Sequence, residues 1–128
     1  MPIRIQLLPD YVHVNWHGEL TTQDLDLLSV EMPRIGWQIG HAPNVLHTFD
    51  ETTGSALRYD AMHSYGRNLQ QVKLPNPCRV ASVCNHTIGF GLARMMQLIN
   101  QNPDLDMKVF SEKEAALCWL TETPKKPE

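Results

Sequence analysis

The sequence predicts a single α/β domain with a mixed, mainly parallel sheet. Its 128 residues suit one domain with a sizeable core. Two short β-type runs at residues 3–8 and 11–17 are joined by the turn dipeptide Pro9-Asp10, which predicts an N-terminal antiparallel hairpin. Strand and helix patterns then alternate in the order ββαβαβαβα, which is typical of a parallel sheet covered by helices.

The second run of the hairpin alternates apolar and polar residues. One face carries Val12, Val14 and Trp16, and the other carries Tyr11, His13, Asn15 and His17. This alternation predicts a strand with one wet face.

The first helix is predicted to begin after Thr21. Thr21 can cap it, and Asp24 stands at the capping-box position near the positive end of the helix dipole. Pro33 is predicted to kink or end this helix, because proline lacks the N–H that a helix interior needs. The pattern leaves the course of residues 33–43 open.

Three further strands are predicted at Val45–Asp50, Arg79–Cys84 and Met107–Phe110. "RVASVC" is nearly all apolar, as expected for a central strand covered on both faces. Two helices lie between these strands, and their apolar stripes run through Leu57, Ala61, Tyr65, Leu69 and Val72, and through Ile88, Leu92, Met95, Met96 and Ile99.

The last helix is predicted over "SEKEAALCWL". Ser111 is its expected cap, with Glu114 at the box position. We assign residues 1–120 to the domain and predict that residues 121–128, which are polar and proline-rich, form a disordered tail.

Composition limits the classes of partner. The net charge of -3 provides no basic field for nucleic acid, and no apolar run approaches the ~20 residues of a membrane span. The start lacks the apolar core of a signal peptide, so we expect a cytoplasmic protein. Cys78, Cys84 and Cys118 are expected to be reduced and mostly buried thiols.

The pair Gly89 and Gly91 raises the question of nucleotide binding. A dinucleotide fingerprint needs a third glycine where this chain has Arg94, and no phosphate-loop lysine follows. We therefore predict that the glycines let the loop and first helical turn pass close to a neighbouring element.

Metal and catalytic arrangements are not favoured by the residue spacing. His13 and His17 are about 13 Å apart along a strand, too far to share a metal ion. Cys84 and His86 do not approach as a nucleophile and base must, and Ser55, His86 and Asp50 lack a G-x-S-x-G elbow. We predict no metal and no cofactor.

The carboxyl ends of the parallel strands are the expected place for any functional site. Two loops would form a rim there, flanked by helix N-termini that attract anions. The alternative is that these residues only cap helices and form turns. The predicted rim comprises Asp50, Thr52, Thr53, Ser55, Asn85, His86 and Thr87, with Phe90 and Arg94 beside it on the following helix.

Four segments in order resemble the SpoIIAA-like proteins of the wider STAS (sulfate transporter and anti-sigma factor antagonist) group. They are "VHVNWHGELTTQDL", "VLHTFD", "RVASVCNHTIGFGLARMMQLI" and "KVFSEKEAALCWL". The likeness covers about residues 3 to 120. It implies a small βα domain with one mixed sheet and helices packed along it.

The resemblance also implies a site of phosphorylation. Anti-sigma factor antagonists carry a D-S-S-G pattern, whose serine begins the helix after the aspartate-ended strand. Here Asp50 matches that aspartate, and Thr53 or Ser55 beside Gly54 matches the acceptor, although "FDETTGSAL" does not reproduce the pattern.

We expect a binding or regulatory module without catalysis, acting on an unknown protein partner. The alternative is a small enzyme, or a protein that binds a small anionic ligand at the rim. An enclosed pocket of roughly a few hundred Å³ with convergent polar groups would favour the alternative, and a convex rim would favour the module. Apolar residues such as Trp37 make a homodimer an additional expectation.

Overall fold

The computed structural model describes residues 3–55, 59–71, 73–85, 87–100 and 102–122. Five strands and four helices follow one another along this part of the chain. They are β1 (Ile3–Leu7), β2 (Val12–Leu20), α1 (Thr22–Ile39), β3 (Val45–Ser55), α2 (Tyr59–Gln71), β4 (Cys78–Val83), α3 (Thr87–Ile99), β5 (Leu105–Phe110) and α4 (Lys113–Thr121).

The strands form one sheet in the order β1-β2-β3-β4-β5. β1 and β2 are antiparallel, and the other neighbours are parallel. The predicted α/β class, the element order and the mixed sheet with its N-terminal hairpin are therefore confirmed.

The two faces of the sheet carry separate apolar cores. The larger core packs alternate strand residues against α1, α2 and α3, with Leu28, Met62 and Ala93 buried from the helices. The smaller core lies under α4, where Ala116 and Leu120 pack against the strands. α1, α2 and α3 therefore cover one face, and α4 covers the other.

The Arg79 side chain on β4 links α4 to the sheet. The Arg79 guanidinium donates to the Trp119 carbonyl at 2.7 Å and lies 5.2 Å from the centre of the Trp119 ring. The end of α4 is therefore held by a charged contact as well as by apolar packing.

Pro33 was predicted to kink or end α1, and it does not end the helix. The helix continues to Ile39, and Gly40 ends it in the left-handed conformation at φ 79°, with its N–H donating to the Gly36 carbonyl at 2.9 Å. Ile35, buried beyond the proline, contributes packing that offsets the missing hydrogen bond. At the other end the Thr21 N–H donates to Asp24 Oδ2 at 2.7 Å, as the capping box predicts.

β3 is longer than predicted. It continues past Asp50 to Ser55, because β2 also extends to Leu20 and supplies a partner along this stretch. The pairing shifts twice, so β3 holds one extra residue between Thr48 and Glu51 and a second at Thr53. The segment predicted to be a loop is thus an irregular strand.

Two local predictions are also corrected. The residue that caps α4 is Glu112, not Ser111. Gly91 is exposed on α3, and a Cβ placed there would meet nothing within 4 Å, so a close approach does not explain this glycine. Gly89 lies outside the residues whose side-chain surroundings the structure describes, as do residues 123–128 of the predicted tail.

Candidate functional site

The predicted rim comes together at two of its residues. The backbone N–H of Asn85, just after β4, donates to Asp50 Oδ1 on β3 at 3.1 Å. Both residues are exposed. This contact joins the ends of two neighbouring parallel strands, as their positions in the sequence predict.

The threonines of the rim are in different surroundings from those expected. Thr52 is buried, and its hydroxyl donates to the Phe49 carbonyl at 2.6 Å. Thr53 is exposed at an irregular position within β3. Both threonines lie within β3, and neither belongs to a described helix.

The other rim residues divide into two groups. Arg94 is exposed on α3, and its guanidinium donates to Gln97 Oε1 at 2.8 Å in the next turn, not to a rim residue. His86 lies outside the described residues, and so do the side chains of Ser55, Thr87 and Phe90.

The described part of the chain has no group of three or more His, Cys, Asp or Glu side chains that could hold a metal ion. Cys78 and Cys84 are buried, whereas Cys118 is exposed, and all three are free thiols. None of the described helices is both long and apolar enough to cross a membrane.

A cavity of about 130 Å³ lies between the sheet and the three helices that cover it. The sheet contributes eight residues to its wall, namely Trp16, Val45, His47, Phe49, Val80, Ser82, Leu105 and Met107. Leu25, Leu28 and Met32 of α1, Met62 and Tyr65 of α2, and Met96 of α3 face them across the space. The space is partly open to solvent, and its wall is almost entirely apolar.

Three aromatic rings from the sheet lie together in the wall. Trp16 and Phe49 stack with ring centres 5.6 Å apart, and the His47 ring lies 5.9 Å from Trp16 and 6.1 Å from Phe49. The Trp16 Nε1–H donates to His47 Nδ1 at 2.9 Å. The imidazole is therefore held in place through one of its two nitrogens.

That hydrogen bond determines the chemistry of His47. An indole N–H can only donate, so Nδ1 must accept, and the proton of the neutral ring is on Nε2. Burial, with a smaller contribution from His13, lowers the pKa of His47 to about 4. His47 is therefore uncharged at neutral pH and presents an N–H donor on its free side.

Ser82 lies beside His47 on the neighbouring strand, and the two residues are Cα partners in the β3–β4 ladder. This pair does not form a nucleophile and its base. A base must offer a lone pair to the hydroxyl, but Nε2 of His47 carries its proton and Nδ1 is occupied by Trp16. His47 therefore offers the Ser82 hydroxyl no free lone pair.

Tyr65 provides a third polar group in the wall. Burial raises the pKa of its hydroxyl to about 12, so this group is also uncharged at neutral pH. Within the described parts of the chain, neither the Tyr65 hydroxyl nor the Ser82 hydroxyl has a hydrogen-bond partner, and the same is true of His47 Nε2.

The opposite face of β2 and β3 carries a polar chain of contacts. His13 Nε2 is 2.8 Å from Thr48 Oγ1, which donates to Asn15 Oδ1 at 2.9 Å, and Asn15 Nδ2 donates to Glu51 Oε2 at 3.3 Å. Burial, and then the charge of Lys113, lowers the pKa of His13. The polar side chains on this face thus form hydrogen bonds with one another. Within the described residues, the hydroxyl groups of Ser82 and Tyr65 in the cavity wall have no such partner.

Comparison with solved structures identifies a protein with the same architecture. It is the crystal structure of an uncharacterized protein from the DUF3478 family, with a SpoIIAA-like fold, from Shewanella loihica PV-4. The match covers 92% of this chain and 91% of that chain, with a TM-score of 0.57 and 20% sequence identity. The fold is SpoIIAA-like. No family model and no curated protein matches the sequence.

The SpoIIAA-like fold confirms the resemblance seen in the sequence, but it does not assign a function. The sequence analysis predicted a functional site at the rim of this fold and did not predict the cavity. One signal for the cavity was present, because His47 alternates with Val45 and Phe49 and therefore lies on the core-facing side of its strand. Tyr65 was placed correctly on the apolar stripe of α2, whereas Ser82 has no distinguishing pattern.

Proposed function

We propose that this protein is a non-catalytic binding domain that takes a small, mainly apolar molecule into the cavity between its sheet and helices. The observation that carries the proposal is an apolar cavity of about 130 Å³ with three polar groups that lack partners among the described residues. Ligand sites typically combine an apolar wall with a few placed polar groups.

The size of the cavity limits the ligand. Typical sites for drug-sized molecules have volumes of roughly 300–1,000 Å³. An engineered apolar cavity of about 150 Å³ in another protein stays dry and binds benzene or xenon. We therefore expect a ligand comparable in size to a single six-membered ring.

The composition of the wall supports an adaptable site. Met32, Met62, Met96 and Met107 line the cavity, four of the six methionines in the chain. Methionine side chains are flexible and polarizable, so they can close around ligands of different shapes. A rigid wall of branched residues would offer less adjustment.

The methionines also provide the test. We expect benzene to shift the ¹³C-methyl NMR signals of Met32, Met62, Met96 and Met107 and to raise the melting temperature. Met95 packs against the same core without lining the cavity, so its methyl signal should shift much less. Equal shifts at all methionines, or none up to the solubility limit of benzene, would overturn the proposal.

A pair of valine-to-phenylalanine variants tests whether benzene binds in the cavity. Val80→Phe introduces a ring at the cavity wall, whereas Val30→Phe introduces the same ring on the exposed side of α1. We expect the first variant to lose benzene binding and the second to retain it. Retention by a folded Val80→Phe protein would place the binding site elsewhere.

A further inference from the structure

We infer that the cavity selects a neutral molecule with a hydrogen-bond acceptor oxygen, such as a small cyclic or aromatic ketone or ester, and that His47 donates to this oxygen. The inference rests on the proposed function, because it assumes that the cavity is a binding site. It adds the chemical class of the ligand and the residue that recognises it.

The first step is the state of the His47 ring. The Trp16 N–H points at Nδ1 over 2.9 Å, which leaves the proton on Nε2. A doubly protonated ring would bring two N–H groups face to face at this contact. The Trp16 hydrogen bond therefore holds His47 as a neutral donor whose free N–H is on the side away from the indole.

The second step is the surroundings of that donor. In the described part of the chain, His17 Nε2 is the only fully buried side-chain nitrogen or oxygen without a hydrogen-bond partner. His47 Nε2 also lacks a partner there, so it must retain surface that a water-sized molecule can reach. His47 lines the cavity, and an acceptor atom of a ligand can satisfy its N–H.

The third step concerns the two hydroxyl groups. Ser82 is the neighbour of His47 across the ladder, and Tyr65 approaches from α2 on the other side of the cavity. Each hydroxyl can donate, and each lacks a partner within the described residues. The described wall thus offers three possible donors and no carboxylate, a set that matches an oxygen with two lone pairs.

The fourth step is charge. The described wall contains no lysine or arginine, and His47 is neutral. A carboxylate in this space would be a buried anion without a cation, which is strongly unfavourable, whereas a carbonyl oxygen loses little if it is hydrogen-bonded. The cavity therefore favours a neutral acceptor over a small anionic ligand, which the sequence analysis gave as an alternative for the rim.

The experiment compares three probes by NMR titration of the full-length protein. Cyclohexanone carries the acceptor oxygen, methylenecyclohexane replaces that oxygen by a CH₂ group of similar shape, and cyclohexanecarboxylate carries a charge. We expect the ketone to bind about 3- to 10-fold more tightly than the alkene, the range of one net hydrogen bond, and the carboxylate to bind most weakly. We also expect the ketone alone to move the His47 Nε2–H signal downfield.

Three variants test which of the three possible donors forms a hydrogen bond with the ketone oxygen. His47→Phe keeps an aromatic ring and removes the N–H, so the ketone and the alkene should then bind equally. Tyr65→Phe and Ser82→Ala remove one hydroxyl each and should reduce the preference by less. If His47→Phe does not fold, the His47 Nε2–H signal of the wild-type protein decides the question.

The outcomes distinguish the two proposals. Failure of both neutral probes to bind in the cavity overturns the proposed function and this inference together. Equal binding of ketone and alkene leaves the proposed function standing and overturns the inference. Tightest binding by the carboxylate, or a ketone preference that survives in His47→Phe, also overturns it.

Discussion

His47 shows how one hydrogen bond can determine the properties of a buried titratable side chain. Trp16 occupies the nitrogen that would have to take up a proton, and the surrounding wall is apolar. Both effects favour the neutral ring. Burial, with a smaller contribution from His13, lowers the pKa of His47 from the ordinary 6.5 to about 4. The cost of charging this residue is therefore linked to the stability of the fold.

The pH dependence of stability follows from this pKa. Below about pH 6.5, His47 becomes protonated in the unfolded chain, whereas in the folded protein it stays neutral down to about pH 4. The free energy of unfolding therefore falls as the pH decreases through this window. We expect the free energy of unfolding to fall by on the order of 2 kcal/mol between about pH 7 and about pH 5. Urea unfolding at a series of pH values measures this loss.

Replacing His47 tests whether this residue causes the pH dependence of stability. His47→Gln cannot titrate and should have a shallower pH slope, with a remainder from His13, whose pKa is also lowered. If the slope of His47→Gln equals that of the wild type, His47 is not the neutral buried group described above.

At the scale of the elements, β3 and α1 are the parts that depart most from their sequence patterns. β3 contains two extra residues relative to β2, and Gly18 faces this region with φ 71°. The left-handed conformation is open to glycine at little cost, so Gly18 allows β2 to follow its irregular partner. Gly91 on α3 has no such reason to be glycine.

The two glycines lead to opposite predictions. Gly91→Ala should raise the free energy of unfolding by about 1 kcal/mol, because alanine is favoured over glycine in a helix and its Cβ meets no neighbour. Gly18→Ala should lower it by about 1–2 kcal/mol, because φ 71° is strained for a residue with a Cβ. Chemical denaturation of both variants measures these changes, and a destabilised Gly91→Ala would reveal an unrecognised contact or ligand at α3.

The sequence was informative where local pattern and packing agree. The periodicity of the helices and the apolar run "RVASVC" were sufficient for the order of elements and the class of sheet. Pro33 was misjudged because the penalty of proline is local, whereas the burial of Ile35 that offsets it depends on the tertiary fold. The continuation of β3 past Asp50 also depends on a partner strand, which "ETTGS" alone does not indicate.

The molecule as a whole has unequal cores on its two faces. Three helices enclose a large core that contains the cavity, and α4 closes a smaller core on the other side. The sequence pattern places Trp16 and Tyr65 at core-facing positions, and it places Asp50 and Asn85 at the ends of neighbouring strands. The cavity itself could not be predicted, because it depends on how side chains from several elements fail to fill a space. No single segment of sequence contains that information.

Two leucines test this division between the cores. Leu28 lines the cavity and Leu120 belongs to the core under α4, and both are almost fully buried. Replacement of either by alanine should cost about 2–5 kcal/mol of unfolding free energy. Benzene should restore part of the loss in Leu28→Ala, where the new space joins the cavity, and much less in Leu120→Ala. Equal rescue of both variants in thermal unfolding would show that benzene does not act through the cavity.

The contrast among the three cysteines makes the native chain suitable for labelling at one position. Cys78 and Cys84 are buried, and burial, with a smaller effect of Asp104, raises the pKa of Cys78 to about 11. Cys118 is exposed on α4, across the sheet from the cavity. A maleimide dye should therefore attach at Cys118 under native conditions and leave the cavity empty, which permits single-molecule or polarisation measurements on the unmutated protein.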